Sequence, residues 1–329
     1  MNLFVSFRYL VALDDHRHFG RAALACHVTQ PALSNALRAL EESFGTAIVK
    51  RGRNFAGFTA EGERVLVSAR KILREHELLQ QDLRSRADDP LGHLLIGAVP
   101  TAMPIAARFA AMLQARHPGI VPTLRSMSSV ALETGLESQA LDLGLGYTER
   151  RGGSRAQLRL VPQYTEHYFL LRRASCPGGK SMQIGPPMTW GEAATLPLCL
   201  LSAEMHNRTI IDRAFGTAGV HPNPAIETNS ILALALSVVA GRVCSIMPGA
   251  LVGAVQGYGE LEALPLIGPQ VETPIAFMVH DTDRPSRTLQ AALTFAQDAS
   301  WLDDARRCSG LLANPDSTTV SIHSRNKLD

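Results

Sequence analysis

Four side chains in one stretch, Gln30, Ser34, Asn35 and Arg38, carry groups able to read nucleic acid. Gln and Asn can pair bidentately with adenine, Arg with guanine or a phosphate, and Ser with either. Such chemistry needs all four on one exposed face. Thr29 is a natural N-cap, Pro31 falls in the first turn where its missing N–H costs nothing, and Leu33, Ala36, Leu37, Leu40 and Phe44 recur at helical spacing. Gly45 supplies the stop. The apolar stripe turns the four polar residues outward; from spacing alone, a solvated face on an ordinary three-helix module is the alternative.

The elements around this helix favour the first reading. Leu3, Phe4, Phe7, Leu10 and Val11 line one face of a helix ending near Asp14-Asp15-His16, and Phe19, Ala22, Ala23 and Cys26 mark a shorter one ending at His27-Val28. Two short helices with a tight connection, the second polar on its outer face, form a helix-turn-helix. Residues 48–59 read as two extended pieces around the basic turn Lys50-Arg51-Gly52-Arg53, which makes a wing. From Glu61 to Ala87, Val65, Ala69, Ile72, His76, Leu79 and Leu83 alternate steps of four and three, the seam of a dimer-forming helix that ends at the hinge Asp88-Asp89-Pro90. Over the whole chain the formal charge is only +2, yet residues 1–59 hold seven basic residues against four acids. The basic excess sits where the nucleic-acid chemistry does.

Beyond the hinge, strands at Leu94–Val99, Ile120–Arg125 and Leu143–Tyr147 alternate with helices at Met103–Arg116 and Val130–Ser138, which predicts a parallel sheet built from βα units. A second set begins near Tyr168, continues through Leu198–Leu201, helices Thr209–Ala218 and Ile231–Ala240 and the strand Val243–Met247. Pro274–His280 and a helix Ser286–Ala299 then return to the first sheet. The expected organisation is a winged helix-turn-helix over 1–60, a linker helix and hinge over 61–90, and a two-lobed α/β domain over 91–302. Its first α/β lobe comprises 91–163 and 268–302, and its second, inserted lobe 164–267. The polar, patternless 303–329 is expected to be a disordered tail.

Taken together, Ala22-Ala23, Thr29-Gln30-Pro31, Ser34, Leu40-Glu41, Gly45, Arg51 and Thr59-x-x-Gly62, in this order and spacing, resemble the DNA-binding half of LysR-type transcriptional regulators. Two departures stand out: Gly20 replaces a frequent Ser, and Ile48-Val49-Lys50 replaces Leu-Phe-x. The resemblance implies DNA contacts from Thr29, Gln30, Pro31, Ser34, Asn35, Arg38, Arg51, Arg53 and Thr59, with dimerisation through Val65, Ala69, Ile72, Leu79 and Leu83. It extends over about residues 92–300, which look like a two-lobed domain similar in fold to periplasmic binding proteins. The overall class is thus α/β with an α-rich N-terminal winged helix-turn-helix.

The resemblance places a small-molecule effector between the lobes, near Thr101, Ala102, Ser126, Ser128, Asn207, Arg208, Asn229 and Ser230. Helix N-termini and neutral donors of these types suit an anion. Thr101 and Ser230 are equally good N-caps, and Arg208 reads equally as a surface charge. A faint likeness of Met205–Arg208 and Glu227–Ser230 to regulators linked to formate dehydrogenase operons makes formate, or another small carboxylate, the first expectation. The expected partners are double-stranded promoter DNA, the effector, a second copy of the chain as homodimer or homotetramer, and RNA polymerase as a contact the family allows. The runner-up is a small-ligand-binding protein without sequence-specific DNA binding.

Other chemistries find little support. The chain lacks G-x-S-x-G, H-E-x-x-H and P-loop motifs, so an enzyme is not expected. The cluster His16, His18, Cys26 and His27 lacks metal-ligand spacing, so these residues are expected to face solvent or cap helices, with no metal or cofactor. Cys26, Cys176, Cys199, Cys244 and Cys308 have no C-x-x-C spacing, and Cys199 between Leu198 and Leu200 reads as a core strand residue rather than half of a redox pair. No apolar run approaches a membrane span, and Met1-Asn2-Leu3 does not open a secretory signal, so a cytoplasmic protein is expected. A chain 46% hydrophobic and 19% charged is globular in composition.

Overall fold

The computed structural model describes residues 2–50, 52, 55–85, 89–149, 158–175, 180–281 and 285–309. The N-terminal module holds α1 (Leu3–His16), α2 (Phe19–Ala25) and α3 (Gln30–Phe44), followed by the long α4 (Ala60–Arg84). Phe7, Leu10, Leu13, Ala22, Ala23, Leu33, Leu37 and Leu40 close over Ile48 and Phe58 as one core. The capping residues act as their chemistry suggests. Thr29 accepts the Ala32 N–H, and Gly45 ends α3 in the left-handed conformation at φ 64°. His18 caps α2, its Nδ1 accepting from Gly20 and Arg21. The helix start thus has a side-chain cap although Gly20 has none to offer.

Behind the module, lobe 1 contains β1 (Gly92–Ala98), a 3-10 turn Pro100–Ala102, α5 (Met103–Arg116), β2 (Ile120–Ser126), α6 (Ser129–Glu137), β3 (Leu143–Tyr147) and β4 (Leu158–Glu166). Lobe 2 follows with β5 (Tyr168–Arg173), β6 (Gln183–Ile184), β7 (Met188–Thr189), α7 (Trp190–Ala193), β8 (Leu198–Leu201), α8 (His206–Thr217), β9 (Ile226–Thr228), α9 (Ile231–Ala240), β10 (Cys244–Pro248), α10 (Gly249–Ala254) and β11 (Leu261–Ile267). The chain then returns to lobe 1 as β12 (Thr273–His280), α11 (Arg287–Phe295) and α12 (Ala299–Cys308). The first sheet runs β2-β1-β3-β12-β4 and the second β6-β11-β5-β10-β8-β9, with β7 beside β11.

Several expectations need correction. The sheets are mixed rather than parallel: β1 is parallel to β2 and β3, but β12 is antiparallel to β3 and β4, because the returning strand enters from the opposite end. Strand β4 ends at Glu166, which moves the first lobe boundary from 163 to His167 and puts a hinge of one residue between sheets. The single helix expected at 286–299 is two, broken where Asp298 accepts the Ser300 N–H and caps α12. Residues 303–308, expected in a disordered tail, complete α12: Trp301 and Ala305 are fully buried, Trp301 Nε1 donates to Gln163 Oε1 at 2.6 Å, and Asp304 accepts from Arg108 at 3.0 Å. The remainder of that expected tail lies outside the described residues. No helix among those described is long and apolar enough to cross a membrane.

Candidate DNA interface and effector cleft

On α3 the side chains of Gln30, Asn35 and Arg38 are exposed, with Pro31 beside them, and Ser34 is half-buried. Leu33, Leu37 and Leu40 occupy the opposite side in the core. The structure therefore brings together the polar face that the spacing suggested. Val49 bridges Phe58 antiparallel at the base of the wing, and Lys50 donates its backbone N–H to Gly57 at 2.9 Å. Arg51 and Arg53 lie outside the described residues.

Thr59, expected as a DNA contact, has its hydroxyl engaged within the chain. Its hydroxyl donates to the Ala47 carbonyl at 2.6 Å and accepts the Gly62 N–H at 2.9 Å, so it caps α4 and ties it to the wing. Gly62 serves the same junction: a Cβ there would lie 2.1 Å from the Ile48 carbonyl oxygen, so only glycine lets α4 approach this strand. Glu41 completes it, its Oε1 accepting the N–H groups of Ile48 at 2.8 Å and Val49 at 2.9 Å.

The expected seam on α4 divides in two. Ala69 is fully buried in the N-terminal core and the half-buried Val65 packs against that core, so both side chains are engaged within their own module. Ile72, Leu79 and Leu83 remain exposed, at 40%, 57% and 78%, and form the free apolar part of the stripe.

Between the lobes lies a pocket of about 100 Å³ lined by Thr101, Ser128, Tyr147, Glu204, His206 and Asn207, with Val99, Val130 and Met205 on its apolar side. Three chain segments point their starts at it: the 3-10 turn at Pro100, α6 behind its N-cap Ser128, and α8 at His206. Thr101 and Tyr147 hydroxyls lie 2.8 Å apart, and Asn207 Nδ2 donates to Tyr147 at 3.4 Å and Tyr168 at 3.2 Å. Asn207 is only 3% exposed, and its Oδ1 has no hydrogen-bond partner among the described residues. Burial pushes the Tyr147 hydroxyl up to about 12, so it stays neutral. At the rim, the Ser202 hydroxyl holds the exposed Glu204 carboxyl below its usual range.

Of the expected effector residues, Thr101, Ser128 and Asn207 meet in this pocket. Five do not. Ala102 is buried in the lobe 1 core, and Ser126 is exposed at the end of β2. Arg208 turns away to Glu227 at 2.6 Å, Asp212 at 2.8 Å and the Leu201 carbonyl at 2.7 Å. Asn229 is exposed outside the pocket, and Ser230 caps α9 through the Ala233 N–H at 3.4 Å. Arg208, its side chain only 11% exposed, thus satisfies local acids and a carbonyl instead of lining the pocket.

Comparison with known proteins decides the family. The bacterial regulatory helix-turn-helix of the lysR family matches residues 4–63, and the LysR substrate binding domain matches residues 87–301. The chain belongs to the LysR family. It is a DNA-binding transcriptional regulator with an effector-binding domain. Among its relatives is the DNA-binding transcriptional dual regulator OxyR of Escherichia coli K12, 27% identical over 279 residues that span 82% of this chain and 87% of OxyR. The SDS degradation transcriptional activation protein of Pseudomonas sp. strain ATCC 19151 is 28% identical over 316 residues, 93% of this chain and 98% of the relative. The fold resembles full-length OxyR from Pseudomonas aeruginosa, with TM-score 0.65 and 20% identity over 90% of this chain and 98% of that one. It also resembles CbnR solved with its target DNA, with TM-score 0.65 and 20% identity over 92% and 99%.

In this LysR regulator Tyr147 and Tyr168 were not anticipated from the sequence as site residues. A signal for Tyr147 existed, because ligands in α/β sheets collect at the carboxyl ends of strands and Tyr147 ends β3. No comparable signal marks Tyr168, which reaches Asn207 from the other sheet. Cys199 and Cys244 lie on neighbouring strands but pack into separate core clusters of lobe 2, and burial raises both thiols. Among the described residues no three His, Cys, Asp or Glu side chains gather to hold a metal.

Proposed function

We propose that this LysR-type regulator binds promoter DNA through the exposed face of α3 and its wing, as a homodimer or a pair of dimers, in the cytoplasm. On this reading a small anionic co-inducer in the interlobe pocket alters the binding mode and through it the contact with RNA polymerase. The observation that carries the effector class is the meeting of three segment starts on a pocket of about 100 Å³. Free N–H groups and the partial positive charge of a helix start hold an anion without a salt bridge. Drug-sized ligands occupy roughly 300–1,000 Å³, so this volume favours a molecule of a few heavy atoms, formate first and then other small carboxylates. The Thr101–Tyr147 hydroxyl pair supplies a neutral donor, the Asn207 Nδ2 hydrogens go to Tyr147 and Tyr168, and the Glu204 carboxylate is exposed on the lining.

The test is a melting-curve screen of the full chain. Formate or a small carboxylate is expected to raise the melting temperature by mass action. Thr101→Val and Ser128→Ala are expected to abolish that rise while leaving operator affinity intact. A screen in which only apolar or cationic compounds act would overturn the anion reading, and absence of salt-sensitive binding to the chain's own upstream DNA would favour a ligand-binding protein without operator recognition.

A further inference from the structure

A larger cavity, about 470 Å³, lies between the DNA-binding module and lobe 1. Helices α1 and α4 form one wall, with Phe4, Arg8, Arg70, Arg74 and His76, and lobe 1 supplies Arg125 from the other. Among the described residues Glu77 is the only acid on the lining. Two of the four arginines are matched: Arg70 pairs with Asp14 and Asp15 at 2.7 Å, and Arg74 pairs with Asp142 and Glu77. Arg8 and Arg125 are exposed and have no acidic partner among the described residues. Independently, Arg74 is only 7% exposed, yet its Nε has no acceptor among those residues. Arg8 and Arg125 therefore stay without an acidic partner and the Arg74 Nε–H without an acceptor among the described residues, while the four acids on Arg70 and Arg74 equal the four arginines in number. An apolar side completes it, with Val11, Leu73, Leu95 and the Phe4 ring, whose centroid lies 5.1 Å from that of His76.

We propose that this cavity is a second ligand site, for a small oligophosphate anion held by Arg8 of the DNA-binding module and Arg125 of the effector lobe. Guanidinium forks match phosphate oxygens in pairs, and a chain of phosphates can present charge to two arginines on facing walls, which a single carboxylate cannot. The volume lies within the range of ordinary ligand sites. An anion touching both walls binds one relative placement of the two domains better than others. It would therefore bias how the DNA-binding module is presented, separately from the interlobe pocket.

The experiment is calorimetric titration of the full-length protein, without DNA, by inorganic tripolyphosphate and separately by ATP. Both are expected to bind, and Arg8→Gln and Arg125→Gln are each expected to weaken binding about tenfold, the loss of roughly one charge-assisted hydrogen bond. Arg38→Ala, on the DNA-reading face, should leave binding unchanged. Tighter binding of ATP that Phe4→Ala lowers would assign the site to a nucleotide, whereas equal binding of the two probes would assign it to a free oligophosphate. Loss of binding in Arg38→Ala with full binding in the Arg8 and Arg125 variants would place the anion on the DNA face and overturn the proposal. So would absence of any binding at millimolar probe.

Discussion

Arg74 of α4 closes on both carboxylate oxygens of Asp142, the residue that precedes β3. Both side chains are buried, and Asp142 also accepts the Leu95 N–H at 2.7 Å. Strand β3 runs from this ion pair to Tyr147 at the interlobe pocket, so five residues join the linker helix to the effector cleft. Asp142→Ala would leave a buried guanidinium without its main partner and is expected to cost about 3–5 kcal/mol in urea unfolding. The double variant Arg74→Met with Asp142→Leu should recover most of that loss, since it removes both charges together. A mild effect of Asp142→Ala alone would show that Glu77 suffices for Arg74.

The second expectation concerns pH. Burial pushes the Glu166 carboxyl from 4.5 up to about 8, partly offset by the Ala250 N–H, and the neutral hydroxyls of Tyr147, Tyr164 and Tyr168 surround it. The folded state thus holds a proton that the unfolded chain releases near pH 4.5. This stabilisation is complete at low pH and is lost as pH rises through about 8. Wild-type stability should fall between those values, and Glu166→Gln, neutral throughout, should flatten the slope and be the more stable protein at pH 8. Melting curves across that range check it; an unchanged slope in the variant would refer the dependence to other groups.

Operator binding separates base reading from phosphate contact. Arg38→Ala is expected to weaken specific binding by about 1–3 kcal/mol if Arg38 reads a guanine. Arg53→Gln should instead weaken binding to all sequences alike and flatten the salt dependence. Titrations at several salt concentrations distinguish the two, and unchanged operator affinity in Arg38→Ala would remove that face from the interface.

Assembly is tested on the free part of the α4 stripe. Leu79→Asp would place a charge in a dimer seam and is expected to separate the subunits and lower DNA affinity together. Light scattering reads the mass; a variant that stays oligomeric with intact DNA binding would move the seam elsewhere. Ala69→Asp should behave differently, unfolding the N-terminal module by charging its core.

Local pattern accounts for much of this protein. Helices α1 to α4 were legible because apolar periodicity, caps and stops agree over short stretches, and α9 falls on its expected bounds for the same reason. The α3 face was legible because a stripe of leucines leaves its polar complement outward. In the effector domain the family resemblance pointed to Thr101, Ser128 and Asn207, which line the interlobe pocket, but also to Arg208 and Ser230, which do not, since a polar residue at a helix start looks alike whether it faces a ligand or solvent.

What the tertiary structure alone decided lies between distant segments. The return of β12 in the antiparallel sense, the sharing of Ala69 with the N-terminal core, and the turn of Arg208 toward Glu227 are contacts across many residues, invisible to any window of sequence. The burial of Asp304 and Trp301 on α12 likewise depends on α5 and β4 waiting beneath it. By itself the sequence determined which faces are apolar, where helices begin, and the family's DNA-binding motif, all properties of neighbouring residues. Which of the polar side chains meet, as Asn207 does with Tyr168 in its own lobe and with Tyr147 of the other, was decided only by packing, because a hydrogen bond is made in space and not along the chain.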